Sequence, residues 1–299
     1  MNNMSSMKKS KISNYIWAAV LLAPLTVGLF IFYIIPFFQN FFYSFTNLGS
    51  FGNWSWIGLE NYERLFQDQE VWTSFKNTLV YTIVSVPITI ALSIAIAQLL
   101  NQQIKGKSAY RLLFFLPAIT MPAAIAMIWK WIYNGQFGIL NQIINFFGID
   151  SINWISDSNF AMFALIIVGI WSGLGMNIIY FLAGLQSVPR TFYEAADIDG
   201  ANPFQKFFNI TLPLLSPTIF FVTITSLIKS FQMFDLLFML ISRQSNAINA
   251  TKSVVYVFYQ HAFEFMDKGY ASAISIILFI VILIVTVIQL RLQKKWVNY

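Results

Sequence analysis

The sequence offers few side chains for covalent chemistry. It contains no cysteine, which excludes a thiolate nucleophile, a disulfide framework and any cysteine-based metal site. Its one histidine, His261, cannot build a zinc site alone and reads as a loop residue. No paired carboxylates or Ser/His set fall at a spacing suited to catalysis, so no catalytic residue and no metal ligand is assigned. The nearest approach to a nucleotide site is NQQIKGKS at 101–108, which fits G-x-x-x-x-G-K-[ST] except that Asn101 replaces the first glycine. A phosphate loop joins a strand to a helix, whereas this segment follows a long apolar run. Gly106-Lys107-Ser108 is therefore a basic turn.

The polar residues that stand out are those set in apolar surroundings. Thr225, Ser226, Lys229, Ser230, Gln232 and Asp235 interrupt an apolar run over about 217–241. At 100° per residue Thr225, Lys229 and Gln232 share one stripe, with Asp235 at its edge. A charge such as Lys229 near the centre of a membrane span costs about 2.5–3.5 kcal/mol on insertion scales. Such a stripe lines a watery pathway or knits helices together, and the spacing alone leaves both open. Lys229 and Asp235 are too far round the helix to pair with each other. A second run, 160–185, carries Trp171, Ser172, Gly173, Gly175, Asn177 and Tyr180, whose small members either line a pocket or let helices approach closely.

The elements that hold these residues are dictated by composition. Of 299 residues 58% are hydrophobic and only 10% charged, against about 25% charged in soluble domains. Apolar runs recur near the length needed to cross a bilayer, over about 16–38, 78–100, 112–133, 160–185, 217–241 and 271–290. One all-α membrane domain, 1–299, of about six spans is expected. Pro24 and Pro36 are expected to kink the first span, and Pro117 and Pro122 to break the third. Short helices are expected at Asn61–Phe66 and Ile139–Phe147 in the external loops. The net charge of +6 does not point to nucleic acid, because the basic residues form no patch interleaved with exposed aromatics. They follow the inside-positive rule instead. Lys8, Lys9, Lys11, Lys105, Lys107, Arg111, Arg190, Lys206, Arg291, Lys294 and Lys295 fall in segments read as cytoplasmic. Only Arg64, Lys76, Lys130, Arg243, Lys252 and Lys268 fall in segments read as external. Both termini are thus expected in the cytoplasm of a cell whose inner membrane the chain crosses.

Between the fourth and fifth spans lies a polar island, about 187–213. Ser187 and Pro189 suit a helix start, and a short helix is expected over Arg190–Ile198. Ala195 and Ala196 leave its surface bare enough to seat against another protein. Gly200 supplies a turn with positive φ, and Asn202 caps a second helix with Pro203 in its first turn. Phe204, Phe207 and Phe208 share an apolar face expected to be buried. Leu212-Pro213 and Pro217 then redirect the chain.

The island's pattern, E-A-A-x3-G-x9-I-x-L-P at Glu194, Ala195, Ala196, Gly200, Ile210, Leu212 and Pro213, resembles the coupling-loop signature of permease subunits of binding-protein-dependent ABC importers. The resemblance extends along the chain. Gly58-Leu59-Glu60-Asn61-Tyr62, Leu116-Pro117, Asn134–Gly138 and the stretch 263–273, FEFMDKGYASA, are similar to segments of MalF-like carbohydrate permeases. Where many relatives carry GGP after the fifth span, this chain has ISRQSN at 241–246. The resemblance implies a membrane-spanning subunit importing an oligosaccharide, glycoside or sugar phosphate ester. It further implies an ATPase-docking role for Glu194, Ala195, Ala196, Asp197, Gly200, Ala201, Pro203, Phe204, Ile210, Leu212 and Pro213. Its sugar-contacting positions correspond to Ser172, Gly173, Met176, Ser230, Gln232 and Met233, with Ala118 and Pro122 on span three. Asn177, Lys229 and Asp235 join this pathway on the residue reading. The implied partners are a second homologous permease, two cytoplasmic ATPases, an extracytoplasmic solute-binding protein and the lipid bilayer. This chain is expected to bind no cofactor, ATP and Mg²⁺ being used by the ATPases. The alternatives are a permease for a peptide, lipid or polyamine, a secondary transporter or channel using Lys229 and Asp235, and a membrane enzyme.

Overall fold

The computed structural model describes residues 2–103 and 105–296. Ile104 and the side chains of Lys8, Lys9, Lys11 and Lys295 lie outside the described residues. By backbone contacts the chain divides into two compact units, Met1–Phe66 with His261–Ile276 and Gln67–Gln260 with Ile277–Tyr299. Among the described residues four helices are long and apolar enough to cross a membrane, and two bent helix pairs raise the number to as many as six.

In the first unit α1 (Asn2–Leu29) passes through a π turn (Phe30–Ile34) into α2 (Ile35–Tyr43). Neither proline ends this helix. Pro24 sits inside α1, and before Pro36 the ladder widens, Ile35 N–H donating to Phe30 C=O. The span Tyr15–Tyr43 is exposed along its apolar length. A knot of polar contacts follows it. Asn61, on α3 (Glu60–Gln67), donates to the carbonyls of Ser44 and Thr46, each at 2.9 Å. The Tyr62 hydroxyl meets Ser44 Oγ at 2.7 Å. Burial pushes the Tyr62 phenol up, against a smaller lowering by that hydrogen bond. Gly269 N–H donates to Leu48 C=O at 2.9 Å, and a Cβ on Gly269 would lie 2.0 Å from Thr46 O. Arg64 bonds Asp267 at 2.7 Å and lies 3.8 Å over the Tyr270 ring. Thus 58–62 and 263–273, singled out by sequence, are two sides of one contact. His261 is a buried member of it rather than a plain loop residue, its ring edge-on to Tyr270.

The second unit is built on α4 (Gln69–Asn101) and α8 (Ala161–Gln186). Ile94, Ala97 and Leu100 of α4 pack on Ile178, Phe181, Leu182 and Leu185 of α8, with Leu215 and Val222 from the segment beyond. A row of small hydroxyl residues on α4, Ser74, Thr78, Ser85, Thr89 and Ser93, is buried. Several satisfy themselves within the helix, Thr78 donating to Ser74 C=O at 2.8 Å and Thr89 to Ser85 C=O at 2.7 Å. Gly169 and Gly173 of α8 face α4 so closely that a Cβ would meet the Tyr81 hydroxyl at 2.0 Å and Thr89 at 3.1 Å. Small residues at these positions let the helices approach.

The third expected span is not one rod. α5 (Lys107–Ile119) and α6 (Pro122–Ile132) meet at 105°, because Thr120 and Met121 are extended ahead of Pro122. Pro117 is tolerated inside α5. The fifth stops early as well: α12 (Ser216–Phe231) ends ten residues before the expected 241, and α13 (Asp235–Leu240) follows a break. α7 (Ile139–Phe146), α14 (Ala247–Thr251), α15 (Val254–Tyr259) and a π turn (Gln260–Glu264) lead to α16 (Lys268–Trp296).

A Gly269→Ala variant is expected to lose more than about 2 kcal/mol, because its methyl has backbone, not a movable side chain, in its way. The purified protein should melt several degrees lower in detergent; an unchanged melting temperature would show that the 46–48 segment yields freely.

Candidate functional site

Two features of the second unit collect the polar residues. The first is a cavity of about 580 Å³ walled by α4, α5, α6, α8, α12 and α13. All eight residues proposed for a pathway line it: Ser172, Gly173, Met176 and Asn177 from α8, Lys229 and Ser230 from α12, then Gln232 and Asp235. Ala118, Pro122 and Met233 line it too. The stripe found by helical spacing is therefore a cavity wall. Lys229, Gln232 and Asp235 are exposed there, while Asn177 and Ser230 are largely buried.

The wall owes its shape to the interruption at 232–234. Gln232 N–H still reaches back to Ile228 C=O at 3.2 Å, and Met233 N–H to Ser230 C=O at 3.2 Å, so α12 closes with a tight turn. Met233 C=O then accepts from Ser253 Oγ at 2.6 Å, and the same Oγ accepts from Tyr256 N–H at the start of α15. A broken backbone at membrane depth needs partners of this kind. Lys229 lies in the last turn of α12 and Asp235 in the first turn of α13, each charge matched to the helix dipole beside it. They form no ion pair with each other or with any other described residue, as their separation implied. Asn177 Nδ2 donates to Ser226 Oγ at 3.3 Å across the wall. Ser172 Oγ has no hydrogen-bond partner among the described residues.

Sequence reasoning missed part of this cavity. Tyr81, Ser85 and Thr89 of α4 line it, as do Thr120 and Phe234. The recurrence of Ser and Thr every three or four residues through an otherwise apolar span was the available signal.

The second feature is the elbow between α8 and α12. α9 (Arg190–Ile198) has the expected bounds, with Pro189 one residue ahead of its first turn. It ends in a two-bond C-cap: Gly200 N–H donates to Asp197 C=O at 3.2 Å and Ala201 N–H to Ala196 C=O at 2.9 Å, with Gly200 at φ +74°. This is the Schellman arrangement, which requires a left-handed residue at the glycine position. Asn202 and Gln205 then make a reciprocal capping box around Pro203 at the start of α10 (Pro203–Lys206). A π turn (Phe207–Thr211), α11 (Leu212–Leu214) and a 65° bend lead into α12. The two arms are tied by the Tyr193–Thr211 hydroxyl contact at 2.9 Å and by the Asp197–Lys206 ion pair.

Two expectations about the elbow change. Phe204, Phe207 and Phe208 are not a buried face: Phe204 is 71% and Phe208 46% exposed, their rings 4.5 Å apart, and only Phe207 packs on the α4–α8 core. The capping box starts the helix with Phe204 turned outward, and Phe208, one turn on, stacks beside it. The small-residue platform divides, too, for Ala196 is buried while Glu194 and Ala195 stay exposed. Ile198, 88% exposed, adds to the outer apolar surface.

Comparison with known proteins follows this geometry. The family described as binding-protein-dependent transport system inner membrane component matches residues 74–298. The chain is 38% identical over 288 residues to the multiple sugar-binding transport system permease protein MsmF of Streptococcus mutans, covering 96% of this chain and 98% of that one. It is 33% identical over 302 residues to the probable ABC transporter permease protein YesP of Bacillus subtilis, covering 100% and 96%. To the sn-glycerol-3-phosphate transport system permease protein UgpA of Pectobacterium atrosepticum it is 33% identical, covering 94% and 95%. Its fold is that of a chain in a bacterial ABC transporter involved in the import of the acidic polysaccharide alginate, with TM-score 0.86 and 21% identity over 98% of this chain and 100% of that one.

Removing the capping box by Asn202→Ala is expected to cost about 1 kcal/mol, and Gly200→Ala at least about 1 kcal/mol for a left-handed alanine. Hydrogen exchange checks this. Amides of 204–206 should exchange several-fold faster in the first variant, and those of 199–201 in the second, with α4 and α8 unchanged.

Proposed function

The chain belongs to the family of binding-protein-dependent transport system inner membrane components, and on that premise we propose that it carries a carbohydrate through the cavity walled by α4, α8 and α12. Membership makes it a multi-pass transport subunit, not an enzyme, and replaces the secondary-transporter and channel alternatives. The observation that carries the sugar reading is the composition of the cavity. Serine, threonine, asparagine and glutamine side chains offer neutral donors and acceptors for hydroxyl groups, while Tyr81, Tyr180 and Phe234 offer flat apolar faces. The names of MsmF and of the arabinooligosaccharides permease AraP of Bacillus subtilis, to which this chain is 35% identical, favour an oligosaccharide or glycoside. That of UgpA favours a sugar phosphate ester or related compound.

The energy comes from elsewhere in this reading. With no phosphate loop of its own, the chain relies on two cytoplasmic ATPase subunits that use ATP and Mg²⁺, and it binds no cofactor itself. The segment 187–213 is their docking site, through exposed Glu194, Ala195, Ile198 and Phe204, with both chain termini on the same, cytoplasmic side. A solute-binding protein delivers the sugar on the outer side, and a second homologous permease completes the pathway. Closure of the ATPases moves the elbow, and Leu212-Pro213 pass that motion to α12, which carries Lys229, Ser230 and the break at Gln232.

Mutation separates the two halves of the proposal. Glu194→Ala and Gly200→Pro should leave the subunit in the membrane yet cut sugar-stimulated ATP hydrolysis by at least tenfold or release the ATPases; wild-type uptake in both would overturn the docking role. Gln232→Ala should change the uptake of one sugar relative to another while the ATPases stay bound. An unchanged profile would return the 225–235 wall to a structural role.

A further inference from the structure

We propose that the cavity takes an anionic saccharide, bearing a carboxylate or a phosphate, and that Lys229 is the counter-charge that recognises it. The proposal rests on the saccharide reading of the cavity and narrows it. Its starting point is what Lys229 lacks. The ion pairs described in this protein engage Arg64 with Asp267, Lys206 with Asp197 and Lys252 with Glu70. Lys252 is the contrasting amine, buried against Glu70 and Asn249 and so satisfied by its own chain. Lys229 has no such partner among the described residues, and its side chain is exposed on the wall of a cavity within an apolar span.

Asp235 lies on the same wall and does not neutralise it. The turn at Gln232–Phe234, clamped by Ser253, holds the two charges on separate helices, and no ion pair forms between them. Separated charges can divide one ligand. The ammonium meets an anionic group with a charge-assisted hydrogen bond, while the carboxylate accepts from hydroxyls. Tyr180 and Phe234 offer faces to the sugar ring itself. A wholly neutral sugar would use Asp235 and displace water from the ammonium without supplying a counter-charge, which is costly. An acidic sugar uses both.

The importer complex purified in detergent tests this with probes that differ only in charge. Trigalacturonate is compared with its methyl ester, and glucose 6-phosphate with glucose, by direct binding. At least one acid should bind roughly 10- to 100-fold more tightly than its neutral counterpart, the scale of a hydrogen bond to a charged group. Which acid does so tells a carboxylate from a phosphate. Lys229→Met should erase that preference by weakening the acid far more than the neutral sugar, whereas Lys229→Arg should keep most of it. Acid and neutral sugar binding alike, or Lys229→Met weakening both equally, would overturn the role of Lys229 while leaving the saccharide reading intact. Loss of the second permease from Lys229→Met complexes would also overturn it, placing the amine at a subunit interface. Binding of none of the four compounds would overturn the saccharide reading and the proposal with it.

Discussion

A polar group surrounded by hydrocarbon has nothing to bond to but its own protein, and the broken fifth span with its clamp follows from that constraint. The α4 hydroxyls turn back onto their own helix, Thr78 onto Ser74 and Thr89 onto Ser85. The chain break after α12 is closed by Ser253. The exposed polar groups of the broken fifth span converge, for Lys229, Gln232 and Asp235 all open onto the same cavity. A polar residue in a span is therefore not scattered noise but an indication of where the lipid stops.

The elbow meets its own backbone needs as well, closing on itself through the two-bond cap at Gly200 and the reciprocal box at Asn202. Those five residues, 198–202, reverse the chain with hardly an unmet donor. Tyr193, Asp197, Lys206 and Thr211 then fasten one arm to the other. The apolar side chains have less to do with this than their number suggests, since Phe204 and Ile198 face outward. The shape is set by hydrogen bonds, and Phe204 and Phe208 stay on the outer surface.

Much of this was legible beforehand because it is local. The bounds of α9, the left-handed Gly200 and the Asn202 cap depend on neighbours within a few residues, and the charge stripe depends on helical period alone. The membrane class follows from composition. What escaped depends on residues distant in sequence. Pro122 announced a break but not its 105° angle, which is decided by two extended residues before it. The end of α12 at Phe231 is marked by no proline or glycine, and the residue that clamps the break, Ser253, lies far along the chain. Tyr81 and Thr89 looked like ordinary members of an apolar span until Gly169 and Gly173 were found against them. The burial of the phenylalanine face was misjudged because amphipathic spacing reveals a face and not what covers it. The motif-like segments near Asn61 and Gly269 both bond the 44–48 stretch, Asn61 to the Ser44 and Thr46 carbonyls and Gly269 N–H to that of Leu48.

The Ser253 hydroxyl also orders events in time. It lies twenty residues beyond Met233, whose carbonyl it holds, and it is fixed in turn by the amide of Tyr256. A ribosome joins the residues of α4, α8 and α12 before it adds that oxygen, so the 232–234 turn that sets Lys229 and Asp235 apart has no clamp until Ser253 is in place. The cavity is thus completed late in synthesis, once α15 has begun.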